Sequence, residues 1–267
     1  MFDIAIGWGE VLALIVSGLM VGFINTLAGG GSIISLSILM FLGLPAPVAN
    51  GTNRIAIFIQ TLTATSSFQQ QKVLDYKKGL ILAIPAIIGA VIGAYIAVDI
   101  NEKIFERAMA IIMLLMLVFI LYNPKKWLYG KKELLEKKVG FKEILIFFGI
   151  GIYGGFIHMG VGYLLLASLL LGMGYDLVKA NAVKVLIVML YTIFSLLIFL
   201  INDQVNWAYG LILTIGNIIG AYVASRLAVK KGVNFVRWVI VIVILLTAGH
   251  LFDLYDIQEV IAFILNK

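Results

Sequence analysis

Cysteine is absent, histidine occurs twice and charged residues make up 13% of the 267-residue chain. Without cysteine there are no disulfides and no thiolate metal sites. Two histidines do not make a metal cluster, and no cofactor is expected. Soluble domains carry about 25% charged and about 45–50% apolar residues. This chain is 62% hydrophobic, with a mean hydropathy of +1.08. It cannot cover itself with polar surface, and it reads as an all-α polytopic membrane protein. The apolar runs also lack deep Asp and Glu, which a cation binder or a carboxylate proton relay would need. The net charge of +6 comes from lysines crowded into loops. That is the pattern of cytoplasmic anchoring and not of nucleic-acid binding. Met1-Phe2-Asp3 is acidic, so the start reads as the approach to a first span and not as a removable signal.

A spanning helix takes about 20 apolar residues. Spans are expected at Trp8–Leu27, Val48–Phe68, Gly79–Val98 and Ile104–Tyr122. The run Ile33–Leu44 is too short to cross. Gly29-Gly30-Gly31 breaks the chain before it, Ser32 can cap its start, and Pro45 and Pro47 close it. Beyond the midpoint, spans are expected at Phe141–Ile157, Val178–Ile201, Trp207–Val229 and Val236–Phe252. Between the first two lies a short Tyr163–Leu171, set off by Gly160, Gly162 and the Gly174-Tyr175-Asp176 turn. Asp256–Leu265 reads as an interfacial tail. Gly18/Gly22, Gly89/Gly93 and Gly151/Gly155 mark faces where helices can approach closely.

The two halves repeat. At a constant offset, positions 29–98 align with 160–229 without a gap, and roughly 20 of about 70 are identical. Both copies carry a polar stretch inside an apolar run. The first is Ala49-Asn50-Gly51-Thr52-Asn53-Arg54 and the second is Ala180-Asn181-Ala182-Val183-Lys184. Asn50 falls on Asn181, and Asn53 falls on Lys184. The expected layout is a first membrane repeat over 1–122, a cytoplasmic basic loop over 123–140 and a second repeat over 141–267. Positive charge is placed inside if each repeat makes five crossings, counting the short segment, with both termini outside. An odd count makes the repeats inverted. Inverted repeats with broken helices are the architecture of secondary transporters, with the site between the repeats.

These stretches resemble the sulfite exporter TauE/SafE family, also called the 4-toluene sulfonate uptake permease family. The likeness lies in the glycine-rich break, in Ala-x-Gly-Thr at Ala49–Thr52 and in Ala-Asn-Ala-x-Lys at Ala180–Lys184. It runs over nearly the whole chain. Where the family pattern has Ser after Gly-Thr, this chain has Asn53 and then Arg54, a departure that bears on the substrate. The resemblance implies a permease for small sulfur-containing anions such as sulfite, sulfonates, sulfoacetate or thiosulfate.

The residues point the same way. Arg54 and Lys184 are cations at lipid depth, where a charge costs several kcal/mol unless it faces protein or a wet cavity. With no acid to pair with, Lys184 calls for an anion. The expected substrate site joins Lys184, Asn181, Asn50, Gly51, Thr52, Asn53 and Arg54 to Gly29, Gly30, Gly31, Ser32, His158, Gly160, Gly162 and Tyr163. The helix starts at Ser32 and Tyr163 would contribute backbone N–H donors and positive dipole ends. Other roles stay open: interhelical hydrogen bonds for Asn50, Asn181 and His158, and carbonyl capping for Arg54. Another small carboxylate-type anion is the alternative substrate. A Ser32–His158 hydrolase and a non-transporting scaffold are the alternatives of other classes. The expected partners are a small anion and the bilayer of the cell membrane, with no nucleic acid; a homo-oligomer is left open.

The charge pattern sets an orientation. A single cysteine placed at Asp203 should be labelled by an impermeant reagent from outside the cell, and one at Lys231 only from the cytoplasm. The reverse result would overturn the topology.

Overall fold

The structure is a computed structural model that describes residues 7–99, 103–104, 132–135 and 139–251. The expected Ile104–Tyr122 span beyond its first residue, most of the basic loop and the Asp256–Leu265 tail lie outside the described residues. Among the described residues, eight helices carry the fold: α1 (Trp8–Leu27), α2 (Ser32–Phe41), α3 (Ala46–Gln70), α4 (Tyr76–Asp99), α5 (Phe141–Phe156), α6 (Val161–Ala167), α7 (Leu177–Ile201) and α8 (Trp207–Leu251). One further turn of helix covers Lys132–Leu135. Helix α6 runs on into a π-helical turn at Ser168–Gly172. Among the described residues, four helices are long and apolar enough to cross a membrane: α1, α4, α7 and the Trp207–Ile240 part of α8. Helix α3 is as long but more polar, and most of it is buried by protein.

Local chemistry sets the ends. Glu10 reaches back to the Gly7 N–H, and Glu143 to the Gly140 N–H, at the starts of α1 and α5. Asp176 accepts from the Val178 and Lys179 amides and caps α7. Pro47 opens α3 and does not close α2, because proline's fixed φ and missing N–H suit a first helical turn. Ser32 is not a cap: Gly31 holds that position without a side-chain bond, and Ser32 lies inside α2. Similarly α6 begins at Val161, after Gly160 in the left-handed region (φ 71°), so Tyr163 is its third residue. The two spans expected after Trp207 run together and bend at Gly232, whose φ of 71° and ψ of −167° are not helical.

Contacts give the helix directions. A Cβ on Gly18 or Gly22 of α1 would strike backbone at Leu213 or Asn217 of α8. One on Gly216 or Gly220 would strike Ile15 or Leu19. These helices therefore run parallel at backbone contact. Gly151 and Gly155 of α5 meet Ala86 and Ala90 of α4 in the same way, and Gly89 and Gly93 meet Phe148 and Ile152. Helix α3 is parallel to α8 (Thr52 beside Asn206, Ser67 beside Ser225) and antiparallel to α7 (Gly51 beside Phe199, Arg54 beside Ser195). So α1, α3 and α8 run one way, and α4, α5 and α7 run the other. Each element opposes its counterpart in the other half, so the repeats are inverted.

The short helices are return arms. Gly31 lies back against Val21 and Asn25, and Leu36, Leu39 and Leu44 share a buried cluster with Leu14. Leu165, Leu166 and Leu169 cluster with Phe147 and Ile150 of α5. A 10-residue helix is about 15 Å long, half of the roughly 30 Å hydrocarbon core. Among the described elements, direction alternates from α1 through α2 to α3 and from α5 through α6 to α7. However, α1–α2 and α5–α6 form two hairpins whose tips are buried inside the protein. Irregular backbone at this depth is tolerated only where protein or water surrounds it. The tips touch: a Cβ on Gly29 (φ 93°) would collide with Gly162, and one on Gly162 with Gly29.

Overpacking a tight contact costs about 1–3 kcal/mol or more. Gly151→Leu and Gly220→Leu should therefore lower the thermal midpoint in detergent. Gly149→Leu, with nothing within 4 Å of its Cβ position, should leave the midpoint near wild type.

Candidate substrate site at the helix breaks

A helix that stops inside a membrane protein leaves carbonyls without partners and a partial negative charge of about half a unit. Both hairpins face this problem, and each is answered from the opposite repeat. Lys184 on α7 donates from Nζ to the Asn25 carbonyl (2.9 Å), the Thr26 carbonyl (3.0 Å) and Asn181 Oδ1 (2.6 Å). All three ammonium protons are used, two of them on the last turn of α1. Asn181 is held in turn by donating to the Leu177 carbonyl at 3.0 Å.

Arg54 on α3 does the same for α5. Its Nη1 donates to the Gly154 carbonyl (3.0 Å) and to Ser195 Oγ (2.9 Å), and its Nη2 to the Gly155 carbonyl (2.6 Å). The guanidinium sits 4.8 Å from the centre of the Phe199 ring. Asn50 Nδ2 donates to the Phe156 carbonyl at 2.9 Å. The helix contacts place Leu19 and Phe148 on equivalent positions, which makes Asn25 the counterpart of Gly154 and Thr26 of Gly155. The two cations therefore cap equivalent carbonyl pairs, although they stand one position apart in the repeat alignment.

The expected residues divide into groups. Gly29, Gly30, Gly162 and Tyr163 meet where the tips touch, with the Tyr163 hydroxyl against Gly30. Gly31 packs on α1, and Ser32 Oγ accepts from Asn25 Nδ2 at 3.2 Å. Gly51 and Thr52 face the turn before α8: Gly51 packs against Gln204 and Phe199, and Thr52 Oγ1 accepts the Asn206 N–H at 2.8 Å. His158 Nδ1 lies 3.0 Å from the Tyr191 hydroxyl. Ser32 and His158 thus have separate partners, which removes the geometry of a hydrolase pair. Gly29 and Gly162 pack backbone on backbone. Asn53 is fully buried, and neither end of its amide has a partner among the described residues. Arg54 Nε, Asn50 Oδ1 and the Tyr163 hydroxyl are also buried without partners there.

Asn25, Gln60, Tyr191 and Ser195 were missed. Asn25 Nδ2 also lies 3.4 Å from Gln60 Oε1. A glutamine in the middle of an apolar run was a usable signal, the more so since the repeat places it on Tyr191. Asn25 had the quieter signal of an amide just before a glycine break.

Broken helices between inverted repeats are a transporter architecture. The sulfite exporter TauE/SafE profile matches residues 14–251. The chain belongs to the sulfite exporter TauE/SafE family. A "Probable membrane transporter protein" of Haemophilus influenzae is 25% identical over 93% of this chain and 97% of its own length. The "Probable membrane transporter protein YfcA" of Escherichia coli is 27% identical, covering 89% of this chain and 87% of the relative. YunE of Bacillus subtilis, also named a probable membrane transporter protein, is 28% identical over 86% and 94%. No solved structure matches the chain. As a member of the TauE/SafE family, the chain is a membrane transporter and not an enzyme.

Hydrogen bonds to a charged group contribute about 1.5–3 kcal/mol each, and an abandoned buried carbonyl costs about 1–3 kcal/mol. Lys184→Met and Arg54→Met should each lower the thermal midpoint, although each removes a buried charge. A midpoint at or above wild type would show that the caps do not hold the hairpins.

Proposed function

We propose that this transporter carries small anions, in particular sulfur oxyanions and organosulfonates of the sulfite, thiosulfate and sulfoacetate class, across the cell's plasma or inner membrane. One observation carries the reading. Arg54 and Lys184 are the two charged residues among the buried ones described, and no Asp or Glu joins them. Each capped helix end contributes about half a negative charge, so two full cations leave roughly one positive charge unbalanced. A desolvated excess of positive charge favours a bound anion.

The unpartnered groups supply the contacts. Asn53 Nδ2, Arg54 Nε and the Tyr163 hydroxyl are donors that can replace the water around oxyanion oxygens. Asn50, on the same face of α3 as Asn53, helps to hold the α5 end beside them. In this reading Lys184 and Asn181 contribute charge through the α1 cap and not through direct contact. The glycines Gly29, Gly30, Gly31, Gly160 and Gly162 let the hairpin tips come together around the anion. The family description and the cationic interior both support an anion.

Purified protein should bind sulfite or thiosulfate in a titration and take up the same anion into proteoliposomes. Asn53→Leu, which removes an amide without touching either cap, should weaken binding about tenfold or more. Tighter binding of a small carboxylate would move the substrate to that class, and binding of cations alone would overturn the reading.

A further inference from the structure

The two caps do the same structural work with different chemistry. Arginine keeps its proton throughout the accessible pH range, whereas a buried lysine can give its proton up. Arg54 shows that a permanent cation suffices to close a hairpin, since it holds the carbonyl pair equivalent to the one Lys184 holds. The first hairpin is nevertheless closed by the residue that can discharge. Its ammonium sits in a cage of three oxygens with no carboxylate among them, the surroundings a bound alkali cation would have. Here the cation is tethered to the chain, and it leaves by losing a proton.

We propose that Lys184 is the proton-binding site that couples this transporter to the proton gradient. Loss of the proton converts the ammonium to an amine and releases H⁺ to the side the site then faces. The amine keeps two N–H donors for three acceptors, so at least one oxygen of the cage is abandoned and the end of α1 is loosened. Reprotonation from the other side restores the cap. Resting on the anion reading above, the charge count sets the stoichiometry. Arg54 offsets the two helix ends, and the Lys184 proton offsets one negative charge of the substrate, so one proton moves with each anion: hydrogensulfite then crosses without net charge, and thiosulfate, a dianion, carries one negative charge with it.

The groups around the cage are named so that their titration can be told apart. From the second break His158 lies within electrostatic reach of both Lys184 and Arg54. Tyr191 bonds to that histidine, and Tyr163 faces the tip of the first hairpin.

The test uses the whole protein and needs no substrate. Amide hydrogen exchange is followed against pH in nanodiscs, at Ala28 and Gly29, whose N–H groups bond to Ile24 at 2.7 and 3.1 Å, and at Ile157, bonded to Tyr153 at 2.8 Å. After correction for the base-catalysed rise common to all amides, Ala28 and Gly29 should speed up about tenfold or more through a pH step. Ile157, under the Arg54 cap, should not. Lys184→Arg should abolish the step at the first hairpin, His158→Gln should leave it, and Arg54→Lys should create one at Ile157. A step that survives Lys184→Arg, or equal responses of the two hairpins in wild type, would overturn the proposal. In proteoliposomes an imposed pH gradient should accumulate thiosulfate with wild type and not with Lys184→Arg; accumulation with both would also overturn it. If thiosulfate is not carried at all, the exchange step still decides the role of Lys184, and only the anion reading fails.

Discussion

A helix cannot end at membrane depth without something to receive its last carbonyls. Water is missing there, and an abandoned carbonyl is costly. Both hairpins of this protein stop a helix inside the fold, and the rest of the architecture follows from meeting that need. A cation must stand opposite each end, a long helix must bring it there, and that helix must run antiparallel to its own counterpart. Lys184 and Arg54 meet the need with two main-chain hydrogen bonds each. The glycine contacts between α1 and α8 and between α4 and α5 serve the same end. They bring the capped helices close enough for the caps to reach.

The buried cations thereby acquire two roles that are hard to separate. Each is a cap, and together they overcompensate the helix ends, so the interior attracts negative charge. This explains how a protein can keep lysine and arginine away from water without a single buried acid among its described residues. It also places the unpartnered Asn53 amide one residue from a guanidinium that is already committed on its other edge.

Much of the fold was legible in the sequence. The span Trp8–Leu27 has the bounds read from it, and the 131-residue offset anticipated the pairing of α3 with α7 and of α4 with α8. Glycine spacing named the contact faces, because a backbone-to-backbone approach excludes any other residue. The caps were not legible. The alignment sets Lys184 opposite Asn53, whereas the working counterpart is Arg54, one position along. A long side chain can reach the same carbonyls from either position, and linear comparison does not register reach. The return path of α2 was hidden for a related reason: a run of apolar residues gives length, and direction comes only from what lies alongside. Ser32 was misread as a cap because serine favours that position generally, while here its hydroxyl is taken by Asn25.

The reciprocity of the caps ties the halves together in ancestry as well as in space. A chain ending before Lys184 would make α1 and leave its terminus open, and one beginning at Phe141 would do the same to α5. Neither half is a finished object, so the duplication that produced them joined two pieces that had to complete each other, as two separate copies of one ancestral half would have done. After the join, each break could drift only in step with the opposite long helix. Lys184 and Arg54, one position apart in the repeat alignment, hold equivalent carbonyls from those two starting points.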